Sequence, residues 1–320
     1  MIGTKTFSNS LNGSSKGFKP QYGDIYGTDG PDQLVADALW FGNAIFAGGD
    51  NDDVYGNNGG NTLYGGEGDD RLYGRGGDDW LYGESGRDTL NGGAGADVMA
   101  GGVDNDNYTV DDVKDQVIEK ADEGFDLVYS YLPSYTLPAN VENMYLKDTA
   151  LEGLGNELDN KIYGNGESNT LMGWDGRDEL YGVGGDDYID GGDGNDLIVG
   201  MAGVDQLIGG AGADTFMFIT ASDSGVTPGT MDTIWGFNPL DGDKIDVQHM
   251  GPESGVANLS FVGAVNPTNG FTAPGQVGYE LDPFTQEITI WVNTDGDAEA
   301  ETGIQTHLAG LTPDASWFVL

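Results

Sequence analysis

The 320-residue chain has no cysteine, so neither a disulfide nor a thiolate-held metal can brace it. Basic residues are scarce: 12 Lys and Arg stand against 54 Asp and Glu, for a net charge of −42. Such an excess excludes nucleic acid and a bare anionic membrane as partners, since both attract positive protein surfaces. Histidine occurs only at His249 and His307. Neither has a second His or Cys at ligand spacing, so both are expected to be ordinary surface or strand-edge residues. No Gly-x-Ser-x-Gly, P-loop or dinucleotide fingerprint is present. A glycosidase would need only two carboxylates, but no segment apart from the repeats is able to form a cleft around such a pair. Met1 to Lys19 carries no apolar run of the signal-peptide kind, and no later run is long enough to span a bilayer. The expectation is a non-enzymatic chain whose charge calls for cations. Without them its acidic, Gly-rich stretches meet the compositional criteria for disorder.

What the chain does have is a nine-residue period, kept in phase over two blocks. From Ala47 to Thr109 each repeat opens on a small residue and places Asp or Asn five residues later, at Asp52, Asn61, Asp70, Asp79, Asp88, Asp97 and Asp106. Two residues further on stands an apolar side chain, such as Val54, Leu63 or Leu72. The frame returns from Gly155 to Met217, with Asn160, Asn169, Asp178, Asp187, Asp196, Asp205 and Asp214, followed by Ile162, Leu171, Leu180 and their equivalents to Phe216.

One repeat, Gly65-Gly66-Glu67-Gly68-Asp69-Asp70-Arg71-Leu72-Tyr73, shows the logic. Its glycines allow a tight loop with positive φ. Arg71-Leu72-Tyr73 makes a three-residue strand whose alternation sends Leu72 inward and its neighbours outward. A strand that short cannot stand alone. Two repeats therefore make a coil, and stacked coils make two parallel sheets around a thin core: an all-β, parallel β-roll. Stacking sets Asp52, Asp70, Asp88 and Asp106 in one column, with Asn43, Asn61, Asp79 and Asp97 opposite. The second block gives Asn160, Asp178, Asp196, Asp214 and, opposite, Asn169, Asp187, Asp205, with Asp205 ending its column. Two carboxylates about 4.8 Å apart repel by roughly 3.5 kcal/mol at an effective dielectric of 20. A hard divalent cation between loops reverses that sign. Ca²⁺ suits mixed carboxylate and carbonyl oxygens, whereas Mg²⁺ prefers a smaller octahedron and keeps its waters.

Gly191-Gly192-Asp193-Gly194-Asn195-Asp196-Leu197-Ile198-Val199 resembles the RTX (hemolysin-type) calcium-binding nonapeptide. The resemblance implies side-chain ligands at the Asp and Asn positions above. It also implies backbone-carbonyl ligands from the loops, at Gly65, Gly66, Gly68, Gly74, Gly77, Gly83, Gly92, Gly93 and Gly95, and at Gly191, Gly192, Gly194, Gly209, Gly210 and Gly212. Arg75, Glu84 and Met201 replace the second glycine, where only a carbonyl is expected to be needed. Seven Asp–Asp steps and three Asn-headed ones imply roughly seven to ten calcium ions.

Five segments are expected: a tail at 1–21, a first roll block at 22–109, a spacer at 110–154 that continues the stack without metal, a second block at 155–217, and a closing domain at 218–320. Leu137-Pro138-Ala139-Asn140-Val141-Glu142-Asn143 is similar to a spacer found between RTX blocks. The segment after Phe218 resembles the domain that closes serralysin-type secreted proteases. That resemblance implies a cap and an uncleaved type I secretion signal ending Ser316-Trp317-Phe318-Val319-Leu320. Asn293-Thr294-Asp295-Gly296-Asp297-Ala298-Glu299 alternates oxygen ligands but lacks an EF-hand's glycine at the sixth position and glutamate at the twelfth, so a solvated acidic hairpin is expected.

On the outer faces, stacking pairs Tyr55 with Tyr73 and Tyr64 with Tyr82, beside Trp80. Such a ladder either stiffens the sheets or offers a glycan-binding face. The whole reads as a secreted, extracellular or cell-surface calcium-binding roll, exported by a type I exporter. Its expected role is adhesion, exopolysaccharide binding or an S-layer-like structure. A membrane-active effector and a polysaccharide-binding accessory of an alginate-type epimerase or lyase are the alternatives.

Overall fold

The structure is a computed structural model that describes residues 24–36, 44–250, 259–267, 270–282, 285, 287–295, 299–307 and 311–320. The expected tail at 1–21 and Asn43 lie outside the described residues. The described residues are all β apart from two short 3₁₀ turns at Gln248–Met250 and Ala315–Trp317. No described helix is long and apolar enough to cross a membrane.

In the repeats each strand pairs in parallel with the strand two repeats on. Leu72 stands beside Leu90 in one sheet and Leu63 beside Leu81 in the other. The expected parallel β-roll is thus the observed fold. Its core is the predicted row of single apolar residues: Val54, Leu63, Leu72, Leu81, Leu90, Met99 and Tyr108, then Ile162 through Phe216, all with no exposed surface.

Strand length differs from expectation. Interior strands such as Arg71–Gly76 and Glu179–Gly184 run for six residues rather than three. The chain bends at the second loop residue, and the two residues after the opening glycine resume pairing, as Arg75 with Gly93 and Gly76 with Ala94. That bend needs a left-handed backbone. Where glycine is replaced, Arg75, Glu84, Trp174, Val183 and Met201 all hold φ between 66° and 80°. The second position therefore demands more than a carbonyl, and a side chain there costs about 1–2 kcal/mol.

The described residues form two compact units, Met1–Leu132 with Leu137–Tyr145, and Pro133–Thr136 with Leu146–Leu320. In the first, one sheet stacks Ile25–Tyr26, Ala44–Gly49, Thr62–Glu67, Trp80–Ser85, Val98–Val103 and Gln116–Val117. The facing sheet stacks Gln33–Val35, Asp53–Tyr55, Arg71–Gly76, Thr89–Ala94, Asn107–Val110 and Leu127–Ser130.

In the second unit, one sheet runs from Lys161–Tyr163 through Glu179–Gly184, Leu197–Ala202 and Thr215–Met217 to Lys244–Asp246 and Phe318–Val319. The other starts at Ser134–Thr136 and reaches Asp232–Trp235, which pairs in parallel with Thr302–His307. From there an antiparallel meander takes in Glu287–Asn293 and Gln276–Leu281. The chain's last strand is part of this core: Trp317 and Phe318 are buried, against Phe237 at 5.6 Å and Phe261 at 5.3 Å between ring centroids. His307 lies at the end of its strand, stacked on Trp235 and 3.0 Å from Glu287, while His249 is exposed. Of the acidic 293–299 segment, residues 296–298 lie outside the described residues.

Candidate metal centre

Each sixth-position side chain sits at the start of a strand, beneath the loop that opens its repeat. Period-2 alternation points it inward, like the apolar residue two positions later. All fourteen are buried, at 0–2% exposure. One carboxylate oxygen is consistently engaged. Asp70 Oδ1 accepts the backbone N–H of Asp52 at 2.7 Å, Asp88 that of Asp70 at 2.7 Å, and Asp106 that of Asp88 at 2.7 Å. The opposite column repeats the pattern from Asn61 through Asp79 to Asp97, and the second block from Asn160 and Asn169 downward.

The other oxygen is left over. Oδ2 of Asp52, Asp70, Asp79, Asp88, Asp97, Asp106, Asp178, Asp187, Asp196, Asp205 and Asp214 is buried without a hydrogen-bond partner. An unpaired buried carboxylate oxygen is costly, and one such group per Asp-bearing repeat requires a compensating charge. The surroundings supply the rest of a ligand set. A methyl added to Gly65 would meet Asp70 Oδ2 and, at 2.8 Å, the carbonyl oxygen of Gly83. The same pairing of Oδ2 with a glycine carbonyl surrounds Gly74, Gly83, Gly173, Gly182 and Gly191. Carboxylate and carbonyl oxygens thus converge beside these six opening glycines, the donor set a hard cation takes.

Burial is the largest influence on these acids. It pushes Asp70, Asp79, Asp88, Asp178 and Asp187 up to about 7 and Asp106 to about 8, and like charges in the column add to it. The backbone N–H that each accepts pulls the other way but loses. With no cation, protons would have to fill the columns near neutral pH.

The Asn-headed loops are built differently. Oδ1 of Asn61 accepts from Asn57 N–H at 2.7 Å, and Oδ1 of Asn169 from Asn165 N–H at 2.8 Å; Asn160 does the same with Asn156. These loops are closed by an internal hydrogen bond where the others present a carboxylate.

Five more acids join the columns from outside the two repeat blocks. Asp115, Asp126, Asp232 and Asp243 accept the N–H groups of Asp97, Asp106, Asp205 and Asp214 at 2.8–3.1 Å, and Glu142 accepts that of Asp126 at 2.8 Å. Asp205 consequently does not end its column: Asp232 follows it, fully buried, and is pushed by burial and then by the Asp205 charge to about 9. Loop insertions break the eighteen-residue step from coil to coil ahead of Asp126, Asp232 and Asp243, whose partners Asp106, Asp205 and Asp214 lie 20, 27 and 29 residues before them. One signal survives them all, an Asp two residues before an inward apolar residue: Asp115-Gln116-Val117, Asp126-Leu127-Val128, Asp232-Thr233-Ile234 and Asp243-Lys244-Ile245.

The RTX calcium-binding nonapeptide repeat model matches residues 46–81, 55–90, 73–108, 154–189 and 181–216, the segments that build these columns. The two blocks are RTX calcium-binding repeats. Among curated proteins none matches the chain. Among solved structures, the chain is similar to two repeat subunits of the mannuronan C5-epimerase of Azotobacter vinelandii, among others. The AlgE6R3 subunit is 28% identical over 51% of this chain and 78% of its own, at a TM-score of 0.26. The AlgE6R2 subunit is 25% identical over 51% and 89%, at 0.25. At such TM-scores the likeness carries no argument about function.

On the outer face of the first unit, Tyr64 and Tyr82 stack at 5.0 Å and Tyr55 and Tyr73 at 5.1 Å. The first pair belongs to a longer column, Tyr26–Phe46–Tyr64–Tyr82, with Trp80 beside it and 48% exposed. Tyr26 and Phe46 precede the regular repeats, so the period did not reveal them.

Proposed function

We propose that this protein is a non-catalytic extracellular roll, folded by calcium and holding polysaccharide at the cell surface or in the matrix. The observation that carries the calcium part is the unpartnered, buried Oδ2 at every Asp of the RTX columns. Asp70, Asp79, Asp88, Asp97, Asp106, Asp178, Asp187, Asp196, Asp205 and Asp214 then serve as side-chain ligands and the loop glycines as carbonyl donors. The seven Asp–Asp steps within the nonapeptide frame would hold seven ions, the steps from Asp97, Asp205 and Asp214 to Asp115, Asp232 and Asp243 would extend the columns by up to three more, and the internally closed Asn loops would hold theirs more weakly. When bound, Ca²⁺ supplies positive charge between successive carboxylates and links adjacent coils.

The four-ring column supports the polysaccharide part: its rings cover one another's faces and so form an apolar ridge, beside which Trp80, 48% exposed, offers an indole to a sugar. A chain so acidic avoids anionic membranes, which favours the glycan over the membrane-active alternative. A type I exporter suits a chain that stays unfolded in a calcium-poor cytosol and folds outside, where sites of roughly 10⁻⁴–10⁻³ M affinity fill. A glycan array probed with the full chain in calcium tests this. Binding should be lost on chelation and sharply reduced by Tyr64→Ala with Tyr82→Ala. Binding to no polysaccharide in calcium, with the roll folded, would sink it.

A further inference from the structure

The first unit holds one acidic cluster unlike the repeat sites. Asp106, Glu119 and Asp126 are all buried, and each offers a carboxylate oxygen within 4.8 Å of the other two. Three oxygens in that cluster have no hydrogen-bond partner: Asp106 Oδ2, Glu119 Oε2 and Asp126 Oδ2. Among the described residues no Lys, Arg or His forms an ion pair with any of them; the adjacent Lys120 turns outward to Glu123 at 2.9 Å.

Glu119 owes its place to the frame. Strand register sets Gln116 beside Val98 and Val117 beside Met99, so residue 119 falls opposite Gly101. In the regular coils that position is a glycine whose carbonyl lies near the preceding Asp Oδ2, as Gly83 O does at Gly65. A methyl added to Gly101 would meet Asp106 Oδ2 and the Tyr108 hydroxyl. The Glu119 side chain enters this space. Its Oε1 accepts from Gly101 N–H at 3.3 Å and from the Tyr108 hydroxyl, which fixes the carboxylate and leaves Oε2 over. Asp126 reaches the same point because its Oδ1 accepts the Asp106 N–H at 2.8 Å.

We infer that Asp106, Glu119 and Asp126 form an additional calcium site, in which the Glu119 side chain takes the place of a loop carbonyl. Oxygens bonded to one Ca²⁺ at about 2.3–2.6 Å stand no more than about 5 Å apart, which this cluster satisfies. Three carboxylates give it more negative charge than a carboxylate-and-carbonyl site, so it should fill before the repeat sites. The inference rests on calcium binding by the repeats but is separable from it. It also places an ion at the first turn of a spacer expected to be metal-free.

Native mass spectrometry of the full chain, with a calcium titration, tests it on wild type, Glu119→Gln and the exposed control Asp122→Asn. Glu119→Gln should hold one ion fewer and lose the tightest phase, with at least a tenfold rise in its midpoint. Asp122→Asn should match wild type. Equal counts and midpoints in Glu119→Gln and wild type would overturn the inference while leaving the repeat sites intact. Wild type holding no calcium would instead refute the repeat reading. If Glu119→Gln does not reach the wild-type β signal in excess calcium, Glu119→Asp decides. It keeps the charge but withdraws the oxygens by one carbon: a midpoint raised at least tenfold for one ion supports the site, and wild-type behaviour overturns it.

Discussion

Stripped of calcium, the chain should be unfolded at pH 8 and should gain β structure as the pH is lowered. The reason lies in the raised carboxyls. Holding Asp70 at about 7 instead of 3.8 costs the metal-free fold about 4 kcal/mol once the group is ionised, at about 1.4 kcal/mol per pH unit. Asp52, Asp79, Asp88, Asp97 and Asp106 are raised to between about 6 and about 8 in the same unit. Halved for water reaching the loop mouths, the six together still cost on the order of 10 kcal/mol, the entire stability of an ordinary domain. The sign follows from proton binding. These groups titrate higher folded than unfolded, so between their unfolded value of 3.8 and about 7 the fold binds more protons. Stability therefore falls as pH rises through that window and is recovered below it. Protein stripped on a chelating resin would be followed by far-UV circular dichroism at pH 8, 7, 6 and 5, above the sequence pI of about 4.1. The β signal should be absent at pH 8, grow toward pH 5, and return at pH 8 on adding calcium. A metal-free chain with full β signal at pH 8, unchanged by acid, would refute the reasoning.

Asp88→Asn and Asp205→Asn should each weaken two calcium sites, because both lie between carboxylates; a calcium titration in which Asp205→Asn disturbs only one would contradict the column through Asp232. Val183→Gly should stabilise the calcium-loaded protein by about 1 kcal/mol, read as a higher urea midpoint, since a β-branched residue at φ 80° gives way to one that adopts it freely. Trp317→Ala should lower the stability of the calcium-loaded second unit by about 3–5 kcal/mol in the same assay, as the loss of a buried aromatic. Unchanged unfolding would mean that the C-terminal strand is not part of the core.

The repeats were legible because one period fixed everything at once: strand register, core row and carboxylate column. Leu72 and Asp70 follow from counting by nine. The eighteen-residue step from one coil to the next fails where a loop lengthens, and so Asp126, Asp232 and Asp243 stayed hidden although their strands stack as the others do. Glu119 was hidden for another reason. It occupies a glycine position, and only the coordinates show that its side chain turns into the loop. The left-handed bend at Arg75 and Val183 was also invisible, because a sequence records which residue replaces glycine but not the φ it must adopt.

The eighteen-residue coil is also a unit of recombination. Each carboxylate accepts from the backbone one coil away, and each strand pairs one coil away. Excising Gly65 to Tyr82 would join Tyr64 to Gly83 with every ladder in phase, one rung shorter. Duplicating that segment would add a rung without touching the rest. A nine-residue change would instead carry every later strand to the opposite sheet and interrupt the aromatic column. The length of such a protein is therefore free to drift in whole coils, and its reach can change between lineages while each metal-binding loop stays as it was.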